Sequence, residues 1–314
     1  MAQAAQLSES TGREVSLRRV LDGELVVVRG GLEWLGAAER MHRAALDAVA
    51  ASVSREAAEH LAQEGLEQLH TVATVEQIRA VRDRMDGEVR AMATTLLLRF
   101  GTALAPQGRR LYVSDHLGVR IMAPTTAVDE RAGELSGYTG FLIPTDAHVD
   151  SWFNTAVNSV NLWMAVSGVR RDNGLLLWPQ AYRSPLRHDG VRLLPGQPIG
   201  SPVEVELDPG DLLLFAGDQL HATRPNTGDR TRWVVTKRIC LGPPRYHPHA
   251  TGWVPYLDPR LLGTPLSPLA PLRSVLTAGR ARQLGRDGAR WCCAFGARRR
   301  AARENLADTE HTNR

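Results

Sequence analysis

The stretch that decides the fold runs from Asp208 to Arg238 and reads DPGDLLLFAGDQLHATRPNTGDRTRWVVTKR. Asp208-Pro209-Gly210 forms a turn signal, DLLLF a strand, and Gly217-Asp218 a break. His221 follows on the far side of a short turn. Arg232, eleven residues later, opens a second strand that continues through TKRICL. A pair of apolar strands separated by Gly, Pro and Asn turns belongs to an all-β barrel or sandwich rather than to a helical protein.

The segments before it have the same texture from Pro106 onward. RLYVSDHLGVRIMAP reads as two strands, VNLWMAVSGV as another, and GLLLWPQAYR as a strand after the turn Arg171-Asp172-Asn173-Gly174. VEVEL is a further strand. SGYTGFLIPTDAHVDSWFN combines a strand, a turn and the pair His148-x-Asp150.

The N-terminal part differs. Leu25 to Val28 form a short β-type run stopped by Gly30-Gly31, and helical patterns follow to about residue 100. One helix starts at Ser54 and stops at Gly65. Another starts at the capping box Thr74-Val75-Glu76-Gln77 and is expected to run to Phe100, with Gly101 ending it. Its apolar positions Ile78, Val81, Met85, Val89, Met92 and Leu96 form one buried stripe.

Composition sets broad limits. The chain has 314 residues, 43% hydrophobic and 23% charged, enough for a sizeable core. No run approaches eighteen apolar residues, so no membrane span is expected. The start MAQAAQLSESTGREVSLRRV lacks a basic-then-apolar pattern, and a cytoplasmic protein is expected. Cys240, Cys292 and Cys293 make neither a disulfide framework nor a zinc-finger spacing. The net charge of +4 is uneven. Residues 280–303 carry +7, residues 304–314 carry −2, and the remainder carries −1. No aromatic stacking set accompanies this basic tail, so nucleic acid is not the expected partner.

The chemistry lies in three residues. His148, Asp150 and His221 supply two imidazoles and one carboxylate, the donor set of non-haem Fe(II) sites that keep open positions. A bidentate 2-oxo acid takes two of those positions and dioxygen the third. Arg232 then has a role as the cation for the far carboxylate of 2-oxoglutarate, because its planar fork matches a carboxylate. Arg230 is the rival, and Thr223 or Thr236 could donate a hydroxyl to the same carboxylate. Asn161 and Trp163 share strand parity, which makes Asn161 a candidate for cosubstrate contact or for orienting a ligand. Trp152, Phe153 and Asn154 are candidates for the substrate wall. Tyr112, His116, Arg120, Trp253 and Tyr256 are candidates for its approach.

These residues, in this order, resemble the phytanoyl-CoA dioxygenase family of Fe(II)/2-oxoglutarate-dependent oxygenases. The resemblance covers about residues 110 to 240. It rests on His148-x-Asp150, NLWMAVSGVRRDNGLLLWPQAYR, His221-Ala222-Thr223, Asn226 and Arg232. It implies a mainly β fold with helical support, built on a double-stranded β-helix of the jelly-roll, cupin-like type. It implies iron ligands His148, Asp150 and His221, with Arg232 anchoring the cosubstrate. Residues 1–280 are then expected to be one oxygenase domain, with helical support at about 32–100, a β-helix core at about 107–242 and a wrapping segment at about 243–280. Residues 281–314 form a basic, mobile tail in this reading.

The implied reaction uses Fe(II), 2-oxoglutarate and O2 to hydroxylate an unactivated C–H of a small molecule, releasing succinate and CO2. A bacterial natural-product intermediate, as in antibiotic biosynthesis, is the expected substrate, and a monomer or homodimer the expected state. The same fold could instead direct ring closure, desaturation, ketone formation or epimerisation. A cupin-like metal-binding protein without oxygenase activity is the other alternative. Two features stand out against the family pattern. Pro179-Gln180-Ala181-Tyr182 replaces the PGSH common in members, and Asp150 is retained where related halogenases have a small residue.

Overall fold

The computed structural model describes residues 7–10, 15–104, 110–114, 118–128, 139, 142–247, 250 and 254–258. In chain order the elements are β1 (Leu7–Ser10), α1 (Leu17–Leu21), β2 (Leu25–Val28), α2 (Gly31–Trp34), α3 (Ala38–Ser52), α4 (Arg55–Glu64), α5 (Leu69–Val72) and α6 (Val75–Leu104). They continue as β3 (Leu111–Ser114), β4 (Gly118–Met122), α7 (Thr125–Val128), β5 (Ser159–Ala165), β6 (Leu175–Leu177) and β7 (Val203–Val205). The last are β8 (Leu212–Ala216), β9 (His221–Thr223), β10 (Arg232–Leu241) and β11 (Tyr256–Leu257).

The helical layer is built by local signals. Ser54 Oγ accepts the Ala57 N–H at 3.1 Å to cap α4, and Gly65, at φ 100°, ends it. At Thr74 the reciprocal box forms: the Thr74 N–H donates to Gln77 Oε1 at 2.9 Å, and the Gln77 N–H to Thr74 Oγ1 at 3.3 Å. The helix does not stop at Gly101. It runs on to Leu104, two residues before Pro106. A glycine costs a helix only about 1 kcal/mol, whereas a proline ring disfavours helical backbone at the residue before it. Proline is the stronger stop.

The strands form two sheets. The larger has the order β1–β2–β8–β5–β10–β3–β11, with β4 also paired to β10. The smaller has the order β7–β6–β9 and is extended at its edge by the His148–His221 bridge. Strands adjacent in the sheets are mostly distant in sequence, as in β5, which pairs antiparallel with both β8 and β10. Two facing, mostly antiparallel sheets wound in this way make a double-stranded β-helix, mainly β with helices on one side. The parallel β1–β2 pair is an addition that the sequence reading did not contain.

Strand parity divides the core in two. Val26, Val28, Val160, Leu162, Met164, Leu212, Leu214, Trp233, Val235 and Ile239 face outward and pack with Met41, Leu61, Val81, Met85 and Val89 of the helices. Leu25, Val27, Trp163, Ala165, Leu213, Phe215 and Val234 face inward, against Leu175, Leu177 and Val205 of the smaller sheet. Both faces of the larger sheet are buried, which is why LVVV and LLLF read as unbroken apolar runs. Among the described residues no helix is long and apolar enough to cross a membrane. The tail 281–314 and most of the segment 243–280 beyond Asp258 lie outside the described residues.

Candidate active site

His148 and His221 are brought side by side by backbone bonding. Each N–H donates to the other's carbonyl, at 2.9 and 3.0 Å, and the two rings lie 4.3 Å apart between centroids. Asp150 sits two residues on, at the first position of a 3-10 turn, Asp150–Trp152. One donor atom from each of the three residues lies within 4.8 Å of the others, and all three residues are buried.

The hydrogen bonds around them settle which atoms are available. His148 Nδ1 lies 2.7 Å from the Asp146 carbonyl, and His221 Nδ1 lies 2.9 Å from the Gln219 carbonyl. A carbonyl only accepts, so each Nδ1 carries a hydrogen, and each Nε2 is turned toward Asp150 Oδ1. Burial, then the neighbouring His148, pulls His221 down to about 3 against the attraction of Asp150, so the ring is neutral near pH 7. For Asp150, burial alone would raise the pKa. The Arg238 guanidinium and the two imidazoles overcome that and hold the carboxylate well below its ordinary range. A neutral imidazole at His221 and an ionised carboxylate at Asp150 suit metal binding.

Arg232 lies at the inner side of the barrel and is fully buried. Its Nη1 donates to the Asn173 carbonyl, in the turn before β6. Among the described residues its Nε and Nη2 have no hydrogen-bond partner. These two N–H groups point the same way in a guanidinium, so together they form a side-on fork that matches a carboxylate. The guanidinium carbon lies 5.2 Å from the Trp163 ring centroid. Burial and the charge of Arg120 lower Arg232 to about 9, so it stays cationic near pH 7. Arg230 is exposed in the turn beside Asp229.

A pocket opens over the cluster, and Arg232 is not among the residues that line it. Arg120, His148, Asp150, Asn161, Trp163, Leu175, Phe215, His221, Thr223, Thr236 and Arg238 line it. Asn161 and Trp163 face inward together, and Asn161 Nδ2 donates to Asp150 Oδ2 at 2.9 Å. Thr236 Oγ1 donates to the Gly118 carbonyl at 3.2 Å. Arg120 stands opposite Val234 across the β4–β10 pair. Burial lowers it to about 10, with Arg238 and Arg82 adding to the effect and Asp150 opposing it.

Other candidates are placed elsewhere. Trp152 stacks on His188 at 4.2 Å and packs with Trp178, Leu220 and Ala222 on the outer face of the smaller sheet. Ala222 alternates with the inward His221 and Thr223, which explains why this cluster lies outside the pocket. The Phe153 ring is 5.6 Å from that of His148. The Asn154 carbonyl accepts the Val254 N–H at 2.7 Å, tying the turn to the C-terminal segment. Tyr112 and Tyr256 pack with Cys240 and Tyr246. His116 and Trp253 lie outside the described residues. Sequence reading missed Arg238, whose Nε and Nη2 reach Asp150 Oδ2 at 3.2 and 2.6 Å. Its even spacing from Arg232 on one strand was the available signal.

The family model described as Phytanoyl-CoA dioxygenase (PhyH) matches residues 39–234, more than half of the chain. No curated protein matches. Among solved structures, the non-heme alpha-ketoglutarate-dependent epimerase SnoN from nogalamycin biosynthesis is 18% identical, with 74% of this chain and 86% of that chain covered and a TM-score of 0.43. The non-heme monooxygenase ThoJ is 17% identical, over 78% and 91% of the chains, with a TM-score of 0.38. The carbocyclase SnoK, also from nogalamycin biosynthesis, is 18% identical over 59% and 66%, with a TM-score of 0.38.

Proposed function

The chain belongs to the phytanoyl-CoA dioxygenase family, and from that premise we propose that it hydroxylates an unactivated C–H of a small molecule, a natural-product intermediate. As a member of this family it is a dioxygenase-type enzyme that uses Fe(II), 2-oxoglutarate and O2. The observation that carries the reading is the His148–Asp150–His221 cluster together with the buried guanidinium of Arg232, whose Nε and Nη2 have no partner among the described residues.

In this reading His148 Nε2, His221 Nε2 and one Asp150 oxygen hold the iron. The donor set fits, since a backbone carbonyl holds each imidazole by its Nδ1 and the carboxylate is ionised. Arg232 holds the far carboxylate of 2-oxoglutarate, with Thr223 and Thr236 as neighbouring hydroxyls. Bound iron and 2-oxoglutarate supply the oxidising power, as dioxygen is reduced while the cosubstrate is decarboxylated to succinate and CO2. The protein's part is position. Trp163, Leu175 and Phe215 form an apolar wall that keeps water from the centre, and the pocket decides which C–H of the substrate lies nearest. The natural-product substrate rests on analogy with members of the family that tailor small molecules, and the Ala- and Arg-rich composition suits a high-GC bacterial chain.

Anaerobic titration tests the centre. Metal-free protein is given Fe(II) and then 2-oxoglutarate, and visible absorption is followed. A weak charge-transfer band that needs both additions and disappears in His221→Ala is expected. Normal iron binding without the band would sink the cosubstrate assignment. Succinate release then ranks substrate candidates, and a product heavier by one oxygen marks hydroxylation, whereas loss of two hydrogens marks oxidative closure.

A further inference from the structure

We infer that Arg238, acting with Asn161, is a positioning residue that commits Asp150 to metal binding through Oδ1 alone. The inference rests on the iron-site reading above and concerns a residue that reading does not use.

The geometry is one-sided. Asp150 Oδ2 receives three N–H groups, from Asn161 Nδ2 at 2.9 Å, Arg238 Nη2 at 2.6 Å and Arg238 Nε at 3.2 Å. A carboxylate oxygen has two lone pairs, so three donors saturate it. Oδ1 faces the other way, 3.5 Å from His148 Nε2 and 3.9 Å from His221 Nε2. Arg238 and Asn161 are direct partners across the β5–β10 pair, so the sheet register places both donors at one height. Both side chains are buried, and water cannot replace either of them readily.

The consequence concerns coordination. Two imidazoles and one carboxylate oxygen give three protein donors. A carboxylate that rotated to present both oxygens would give four and remove a position the cosubstrate or dioxygen needs. Arg238 blocks that rotation. A lysine could keep the charge but could not offer two parallel N–H groups to one oxygen.

The test uses Co(II) alone, titrated into the full-length metal-free protein and read by its visible d–d absorption, beside thermal melts. Arg238→Met is expected to bind Co(II) about 10- to 100-fold more weakly, the usual cost of losing a partner that orients a ligand, and to change the band shape. Arg238→Lys should recover part of the affinity but not the band shape. Asn161→Ala, which keeps the arginine, should show a smaller loss in the same direction and serves if Arg238→Met does not fold. A role limited to folding would lower the melting temperature and leave Co(II) affinity and band shape as in the parent. That result, or tighter binding, overturns the inference. If His221→Ala binds Co(II) like the parent, the iron-site reading fails with it. If His221→Ala loses binding while the Arg238 and Asn161 variants match the parent, only this inference fails.

Discussion

The two faces of β10 do different work although they share one backbone. Outward, Trp233, Val235 and Ile239 pack into the helical layer, and the Trp233 indole N–H reaches the Leu66 carbonyl at 2.8 Å. Inward, Thr236 and Arg238 line the buried pocket, and Arg232, at the same strand parity, is fully buried. One face gains stability from burial. The other gives some up, because a buried cation with two unpartnered donors is expensive until an anion arrives. A strand can afford that inner face only because its outer face is so well packed.

The comparison can be broken from either side. The largest effect is expected from His221→Ala, at the pocket end. It should lower iron affinity by more than about 100-fold, beyond the loss typical of an outer partner, and take succinate release to background. Iron titration and a coupled succinate assay check it. Trp233→Ala should cost about 3–5 kcal/mol of stability in urea denaturation, as for other fully buried aromatics. Its folded fraction should keep parental 2-oxoglutarate affinity. Arg232→Ala should weaken 2-oxoglutarate by about 10- to 100-fold, the value of a charge-assisted pair of about 1.5–3 kcal/mol, while iron still binds. The smallest effect should come from Thr74→Ala, far from the pocket, which loses the capping box and about 1 kcal/mol.

The sequence made the ligand chemistry legible because few residue types can fill those roles. Two histidines, an aspartate and a strand-borne arginine need a barrel to meet, and the Gly, Pro and Asn turns announced one. The Ser54 and Thr74 caps were legible because capping is local. Other features depend on tertiary partners that periodicity does not record. Trp152 follows the ligand motif directly, yet the 3-10 turn at Asp150 sends it to the outer face of the smaller sheet. In the sequence Arg238 is one residue within the strand that continues through TKRICL. Its role appears only when the β5–β10 register sets it opposite Asn161. The choice between Arg230 and Arg232 likewise needed the strand's first residue to be known, which leaves Arg230 in the exposed turn.

The most direct test of the divided strand measures two quantities on two variants, 2-oxoglutarate affinity of the iron-loaded protein and melting temperature, for Arg232→Ala and Val235→Ala. The account predicts a crossed result. Arg232→Ala loses cosubstrate affinity and melts at or above the parental temperature, since a buried unpaired cation is removed. Val235→Ala melts lower and binds 2-oxoglutarate like the parent. An Arg232→Ala protein that melts lower yet binds 2-oxoglutarate normally would contradict it, and would make Arg232 a structural residue.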